Sequence, residues 1–336
     1  MDNSFTKQDS LVLKGVAILL MLYLHLFNQM NNVLLCHNNF YVGDIPLTHI
    51  LVRATNPVPF FLILSGYGMY IVYMKGDKHR YSRLLKLLFH YWVILLIFVG
   101  IGSYLYPDRY PGTWEKILSN VTGYKTTYNG ECWFLLPYIL LSFSSPLIFK
   151  ITDRYRARTI VPILFFVNLF TSFLISRYGD KFLFHNYWAY IPVLYFNLML
   201  SFYLGSMSAK NDVFGKVSLK VKAYGKYLWL FLILLIFLRC CYNTYSFDEL
   251  YAFPFLLLFI NAPRFEFVDK CLALFGKHSM NMWMIHTWFC YYLFHDYIYG
   301  FKYPIVIYIV LVLISLFCSY VINIICRPIE KIVNKT

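Results

Sequence analysis

The chain has 336 residues, 60% of them hydrophobic and 14% charged, with a mean hydropathy of +0.56 and a formal net charge of +14. A water-soluble domain of this length has no interior large enough to hide that much apolar surface, so composition excludes a soluble enzyme or binding module. The expected fold class is an all-α polytopic membrane protein, and the charge is to be read first as topology rather than as nucleic-acid binding.

Residues 1–10 are polar. The apolar run that follows has no small-residue cleavage site, so the first span, near 11–30, reads as a retained signal anchor. Further spans are expected near 57–74, 84–106, 133–149, 159–176, 187–208, 227–242, 250–262, 279–297 and 304–326, about ten in all. The segment 250–262 falls short of the ~20 residues that a straight span needs. An even number of spans places both termini on one side. Of the 30 Lys and Arg, 22 fall on the side that holds the N-terminus. The other 8 are Arg53, Arg109, Lys116, Lys125, Arg177, Lys181, Arg239 and Lys302. This loop-by-loop bias marks the terminal side as cytoplasmic. The 32 Phe and 31 Tyr fit aromatic belts at the two interfaces. Residues 1–336 read as a single membrane domain, with no soluble appendix, internal repeat or low-complexity linker. Among the 8 Cys, Cys36 and Cys132 both belong to the outer side and are placed to pair in an oxidising compartment. Neither zinc-ligand spacing nor a phosphate-binding or dinucleotide fingerprint is present, and there is no Gly-x-Ser-x-Gly elbow, so no metal is expected.

Polar residues interrupt the apolar background at five places. In "LKGVAILLMLYLHLFNQ", Lys14 and His25 are eleven residues apart, within about 20° of three full helical turns. They share one helix face, separated by roughly 16 Å along the axis, and Asn28 extends that face by a turn. A snorkelling Lys and a satisfied core His would account for the pair; the sharper reading is a polar track on one helix face, lining a water-filled or substrate-filled cavity. In "RATNPVPFFLILSGYGMY", Arg53 precedes a Pro-punctuated span start, and Ser65, Gly66 and Gly68 allow either close helix packing or a hydroxyl facing a cavity. In "KGDKHRYSRLLK", Arg80 and Arg83 are helical neighbours if the third helix has begun, and two guanidinium forks on one face suit a diphosphate. In "YNGECWFLLPY", Glu131 and Trp133 fall at the outer mouth of the fourth span, with Arg53 a candidate partner for the carboxylate. In "HSMNMWMIHTW", His278 lies at the cytoplasmic interface and His286 about two turns deeper.

In this order these stretches resemble the acyltransferase 3 family of integral membrane acyltransferases. Lys14 and His25 match a basic residue, ten residues, then His in the first span. Phe61 through Ser65-Gly66 is a looser match to Phe-Phe-x-x-Ser-Gly, and Arg80 and Arg83 match Arg-x-x-Arg. "CWFLLPY" is similar to the family's Trp-Phe-Leu entry to a middle span, and "SMNMWMIH" to its late Ser-x-x-x-Tyr-x-x-His-like stretch, with Trp283 at the aromatic position. Lys14 departs from the commoner Arg, keeping the charge and losing the bidentate fork. The extracytoplasmic hydrolase-like domain that some members append is absent from the pattern.

The resemblance implies transfer of a short acyl group, most often acetyl, from cytoplasmic acetyl-CoA or another short acyl-CoA as co-substrate. The implied acceptor is a hydroxyl of a surface polysaccharide or a lipid-linked sugar, and the implied location is a bacterial plasma membrane. In that reading His25 is the general base, Lys14 neutralises developing charge, Glu131 orients the acceptor or the imidazole, and Ser65 is a candidate for a covalent intermediate. Arg80 and Arg83 hold the donor phosphates, while Arg53, Asn28, Trp133 and His286 are candidate substrate contacts. The expected partners are membrane lipid and the glycan, with no nucleic acid; a homo-oligomer is compatible with the sequence, which specifies no oligomeric state. The competing class is a transporter that moves a glycan precursor or small carboxylic acid without covalent chemistry.

Overall fold

The computed structural model describes residues 5–76, 80–242 and 247–333. Its main helices are α1 (Lys7–Phe27), α2 (Val58–Met74), α3 (Arg80–Leu105), α4 (Trp114–Val121), α5 (Leu135–Arg154) and α6 (Ala157–Tyr178). They continue with α7 (Tyr187–Asn211), α8 (Leu228–Cys241), α9 (Asp248–Asn261), α10 (Glu266–Thr287) and α11 (Pro304–Val333). The described strands are a two-residue hairpin, Tyr41–Val42 against Ile45–Pro46. Among the described residues, 8 helical stretches are long and apolar enough to cross a membrane, from Lys7–Phe27 through Pro304–Lys331. The protein is thus an all-α polytopic membrane protein. The two remaining expected spans are helical with different bounds. α9 has only 14 residues. α10 starts well before 279 and carries Glu266, Asp269 and Lys270 in its first half and Lys277 just beyond, which dilutes its hydropathy.

The chain folds as two compact units. The first comprises Met1–Ala17, Pro57–Lys78 and Leu136–Gly276, and the second Ile18–Asn56, His79–Leu135 and Lys277–Thr336.

In the first unit, glycines set the closest helix approaches. A Cβ on Gly66 of α2 would lie 2.0 Å from the Phe202 carbonyl oxygen of α7, and one on Gly205 of α7 would lie 2.0 Å from that of Ile63. The start of α1 meets α10 in the same way: a Cβ on Gly15 would lie 1.9 Å from the Leu272 oxygen, and one on Gly276 would lie 1.9 Å from the Leu11 oxygen. Gly68, by contrast, faces open space. Backbone contact through small residues is the packing mode expected where lipid is as apolar as the helices. α8 and α9 are tied at one end by the Trp229 indole N–H donating to the Pro263 carbonyl at 2.8 Å. Near their other ends the Arg239 guanidinium meets the Asp248 carboxylate at 2.7 Å, with both side chains under 10% exposed. Arg239 is therefore a buried ion-pair partner rather than an outer-loop charge. One residue on, the Glu249 carboxylate accepts from Ser201 at 3.0 Å and Asn168 at 3.3 Å.

In the second unit, α4 folds back along α3. The Tyr91 hydroxyl donates to the Asn120 carbonyl at 2.7 Å, and the Trp92 indole donates to that of Val121 at 2.8 Å. Tyr91 lies fourteen residues before Leu105, so the end of α4 sits about 20 Å inward from the outer end of α3. The Asn120 side chain satisfies the returning chain at that depth. Its amide donates to the Lys116 carbonyl and the Thr127 hydroxyl, both at 2.8 Å, and its oxygen accepts from the Tyr128 N–H at 2.9 Å. Such bonds are what backbone needs where water is scarce. Cys36 and Cys132 are both buried free thiols. Cys132 belongs to the turn Gly130–Phe134 that the return of α4 carries inward, so it is not an outer-loop residue. Burial pushes the Cys36 thiol up to about 11.

Candidate active site

The second unit brings His25 and His286 together. α1 is unbroken from Lys7 to Phe27, so the three-turn spacing of Lys14 and His25 holds along it. His25 lies in its last turn, its ring centroid 5.1 Å from that of His286 on α10. His286 is fully buried. Its Nδ1 contacts the Met282 carbonyl at 3.0 Å. A carbonyl only accepts, so Nδ1 carries the proton and Nε2 presents a bare lone pair. That Nε2 and the buried Nδ1 of His25 have no hydrogen-bond partner among the described residues. Two adjacent imidazoles with idle nitrogens are unusual in a buried setting, where polar atoms are ordinarily satisfied.

A widened turn, Trp288–Tyr292, follows α10 and re-aims the residues after His286. Trp288 anchors it by stacking on Phe98 of α3, with ring centroids 5.3 Å apart. Tyr291 then points its ring edge at His25, centroids 5.8 Å apart, and its hydroxyl donates to the Asn28 side-chain oxygen at 2.7 Å. Tyr292 turns to Glu131: its hydroxyl donates to the carboxylate at 2.6 Å and accepts from the Gly130 N–H at 2.8 Å. The Trp283 indole N–H donates to the Glu131 carbonyl at 3.2 Å, and Asn129 bridges the Met284 carbonyl and the Thr287 hydroxyl. Glu131 thus lies against α10 about one turn before His286, deeper than the outer mouth that the sequence pattern suggests. The chain 114–129 returns inward before the next span begins, and that return causes the difference.

His25, Asn28, Glu131 and His286 are therefore gathered in one unit. Trp133 belongs to the same unit, its ring 5.9 Å from that of Phe134, which is 5.6 Å from Trp283. Arg53 is half-buried in the turn Val52–Ala54. α3 begins at Arg80, so Arg80 and Arg83 are helical neighbours by position. Arg83 is exposed, and the Arg80 side chain lies outside the described residues, as does Lys78. Lys14 and Ser65 belong to the first unit, where both are half-buried. No cluster of three or more potential metal ligands occurs among the described residues.

Sequence reasoning missed Tyr291 and Tyr292, because a Tyr pair near a span end reads as interfacial belt. It also missed His90, buried on α3. The His90 Nε2 meets the Glu330 carboxylate and its Nδ1 the Asn281 side-chain oxygen, both at 2.8 Å.

No curated protein and no solved structure matches the sequence. A family model described as an acyltransferase domain matches residues 11–324. Since that match runs from the first span into the last, the chain belongs to the acyltransferase 3 family and is a membrane acyltransferase.

Proposed function

We propose that the protein transfers a short acyl group, acetyl in the first instance, from cytoplasmic acyl-coenzyme A to a hydroxyl of a surface polysaccharide or lipid-linked sugar, in a bacterial plasma membrane. The observation that carries this reading is the His25–His286 pair with its two unpartnered ring nitrogens. His25 takes the proton of the acceptor hydroxyl as the hydroxyl oxygen attacks the thioester carbonyl. The tetrahedral adduct collapses with cleavage of the carbon–sulfur bond, and the sulfur leaves with that proton as free coenzyme A thiol. A positioned base of this kind contributes roughly 10²–10⁴-fold in rate. The bare Nε2 of His286 accepts a hydrogen bond from a second hydroxyl of the acceptor sugar and so aims the reacting one. Glu131, held by Tyr292, orients the acceptor, with Asn28, Trp133 and Arg53 as further contacts.

The donor phosphates are assigned to Arg80 and Arg83 at the cytoplasmic start of α3. Phe98, which stacks beside the His286 turn, is fifteen residues past Arg83, or about 22 Å along the helix. A long, thin pantetheine arm suits that separation. Lys14 and Ser65 keep the roles that their motif positions imply, charge neutralisation and a candidate acyl carrier.

The test uses detergent-solubilised protein with acetyl-coenzyme A and a panel of sugars, reading free thiol and acylated sugar. His25→Ala should lose at least about 100-fold of the thiol release, yet still insert and bind coenzyme A. Uptake of a glycan precursor into vesicles with no thioester consumed, across several donors and acceptors, would show transport instead.

A further inference from the structure

The stretch from the end of α3 into the first turn of α4 carries two cations that the proposed mechanism does not use. α3 ends at Leu105, and the Arg109 and Tyr110 N–H groups both donate to the Tyr106 carbonyl, at 3.0 and 3.1 Å, to close a turn. Gly112 has φ +76, and a Cβ there would press on the Lys116 stem at 3.0 Å. Thr113 then caps α4 by accepting from the Lys116 N–H at 3.3 Å. These constraints fix Lys116 relative to Arg109: the Lys116 ammonium donates to the Arg109 carbonyl at 2.8 Å.

Both cations lie over tyrosine rings. The Arg109 guanidinium is 5.5 Å from the Tyr110 centroid and 5.1 Å from that of Tyr292. The Lys116 ammonium is 5.7 Å from Tyr110 and 5.2 Å from Tyr128. Ring faces orient a cation without neutralising it. Asp108 and Glu115 are close in sequence, yet no carboxylate among the described residues lies within ion-pair distance of Arg109 or Lys116. Burial, and after it the Arg109 charge, lowers the Lys116 ammonium below the usual lysine range. Two like charges, linked through the Lys116–Arg109 carbonyl bond and both lacking a counter-ion among the described residues, match a ligand that brings a negative charge.

We propose that Arg109 and Lys116, floored by Tyr110, Tyr128 and Tyr292, form a binding site on the outer side for the anionic group, carboxylate or phosphate, of an acidic saccharide. The two cations take the anion; Tyr110 and Tyr128 are buried beneath them and fix their positions, and the half-buried Tyr292 is the ring left to meet the sugar. Tyr292 joins this platform to Glu131, since its ring lies under Arg109 while its hydroxyl bonds the carboxylate. That the bound saccharide is the acyl acceptor rests on the acyltransferase reading; the anion site itself does not.

The test measures binding calorimetrically to nanodisc-embedded full-length protein, with no acyl donor present. The probes are a disaccharide ending in a uronic acid, a sugar 1-phosphate, the neutral disaccharide and glycerol phosphate. The uronate, the sugar phosphate or both should bind about tenfold or more tighter than the neutral sugar, as expected for charge-assisted contacts. The double variant Arg109→Gln/Lys116→Gln should erase that preference, whereas Arg109→Lys retains part of it and Lys181→Gln, elsewhere on the outer side, retains all of it. Equal binding of neutral and acidic sugars by the wild type would overturn the proposal, as would a preference that survives the double variant. Glycerol phosphate binding as well as the sugar phosphate would overturn the saccharide assignment. Thiol release from acetyl-coenzyme A on the same samples reports separately on the acyltransferase chemistry. Binding as expected without thiol release under any donor or acceptor would therefore fault that chemistry and leave the anion site standing.

Discussion

Replacing Gly66 with Ala should destabilise the protein, while the same change at Gly68, two residues along, should not. The added methyl at 66 would sit 2.0 Å from the Phe202 oxygen, and ordinary contact begins near 3.4 Å, so α2 and α7 must part there by more than 1 Å. Overpacking of a tight interface costs about 1–3 kcal/mol. Widening it also weakens Cα–H···O contacts worth about 0.5–1 kcal/mol each. The expected loss for Gly66→Ala is thus roughly 2–4 kcal/mol. At Gly68 the new methyl meets nothing within 4 Å, so the change removes only a helix-weakening glycine. That is neutral or stabilising by up to about 1 kcal/mol. Unfolding in mixed micelles by titration with a denaturing detergent gives both free energies on one scale. Gly66→Ala within about 0.5 kcal/mol of wild type, or equal losses at both glycines, would refute the close approach. Combining Gly66→Ala with Gly205→Ala should cost less than the sum of the single losses, because both open the same interface.

Three other outcomes follow from the same geometry. Arg239→Met should cost about 3–5 kcal/mol by stranding the Asp248 carboxylate, and Arg239→Met/Asp248→Leu should recover much of the loss in the same unfolding titration. Arg80→Ala and Arg83→Ala should weaken coenzyme A binding far more than Lys75→Ala or Lys78→Ala, measured calorimetrically; equal losses at all four would mean diffuse charge attraction. Tyr292→Phe removes the 2.6 Å donor to Glu131 and should slow thiol release by about tenfold to a hundredfold with normal membrane accumulation, while an unchanged rate would detach Glu131 from the chemistry.

Much of the molecule was legible because hydropathy and charge act residue by residue. A bilayer rewards each apolar run separately, so α1, α2, α3, α7 and α11 fall close to where their runs of Leu, Ile, Val and Phe lie. The motif residues His25 and His286 were legible for a related reason: a polar ring in an apolar run costs free energy and stands out. What could not be read depends on other segments. α10 is amphipathic with a charged first half, so a window average places its start at 279 and not at Glu266. The depth of Glu131 depends on α4 turning back, and nothing in "YNGECWF" encodes that. Arg239 counts as a loop cation until Asp248, nine residues further along the chain, is seen to meet it. Of the two glycines in "SGYG", only the packing of α7 distinguishes the indispensable Gly66 from the free Gly68.

The return of α4 has a consequence for how the chain is made. Eight residues with Glu115, Lys116 and Asn120 among them are too short and too polar for a translocon to release into lipid as a helix of their own. The 106–129 segment therefore crosses to the outer side with the ordinary loops while α3 and α5 are laid into the bilayer. The expectation is that it settles back along α3 only afterwards, held there by the Tyr91 and Trp92 bonds to the Asn120 and Val121 carbonyls. Glu131 would reach Trp283 and Tyr292 in that late step. A chain interrupted after α5 would be inserted and oriented, yet it would lack α10, against which Asn129 and Glu131 settle. Catalytic competence should thus appear after membrane integration is complete, as a separate and slower event in biosynthesis.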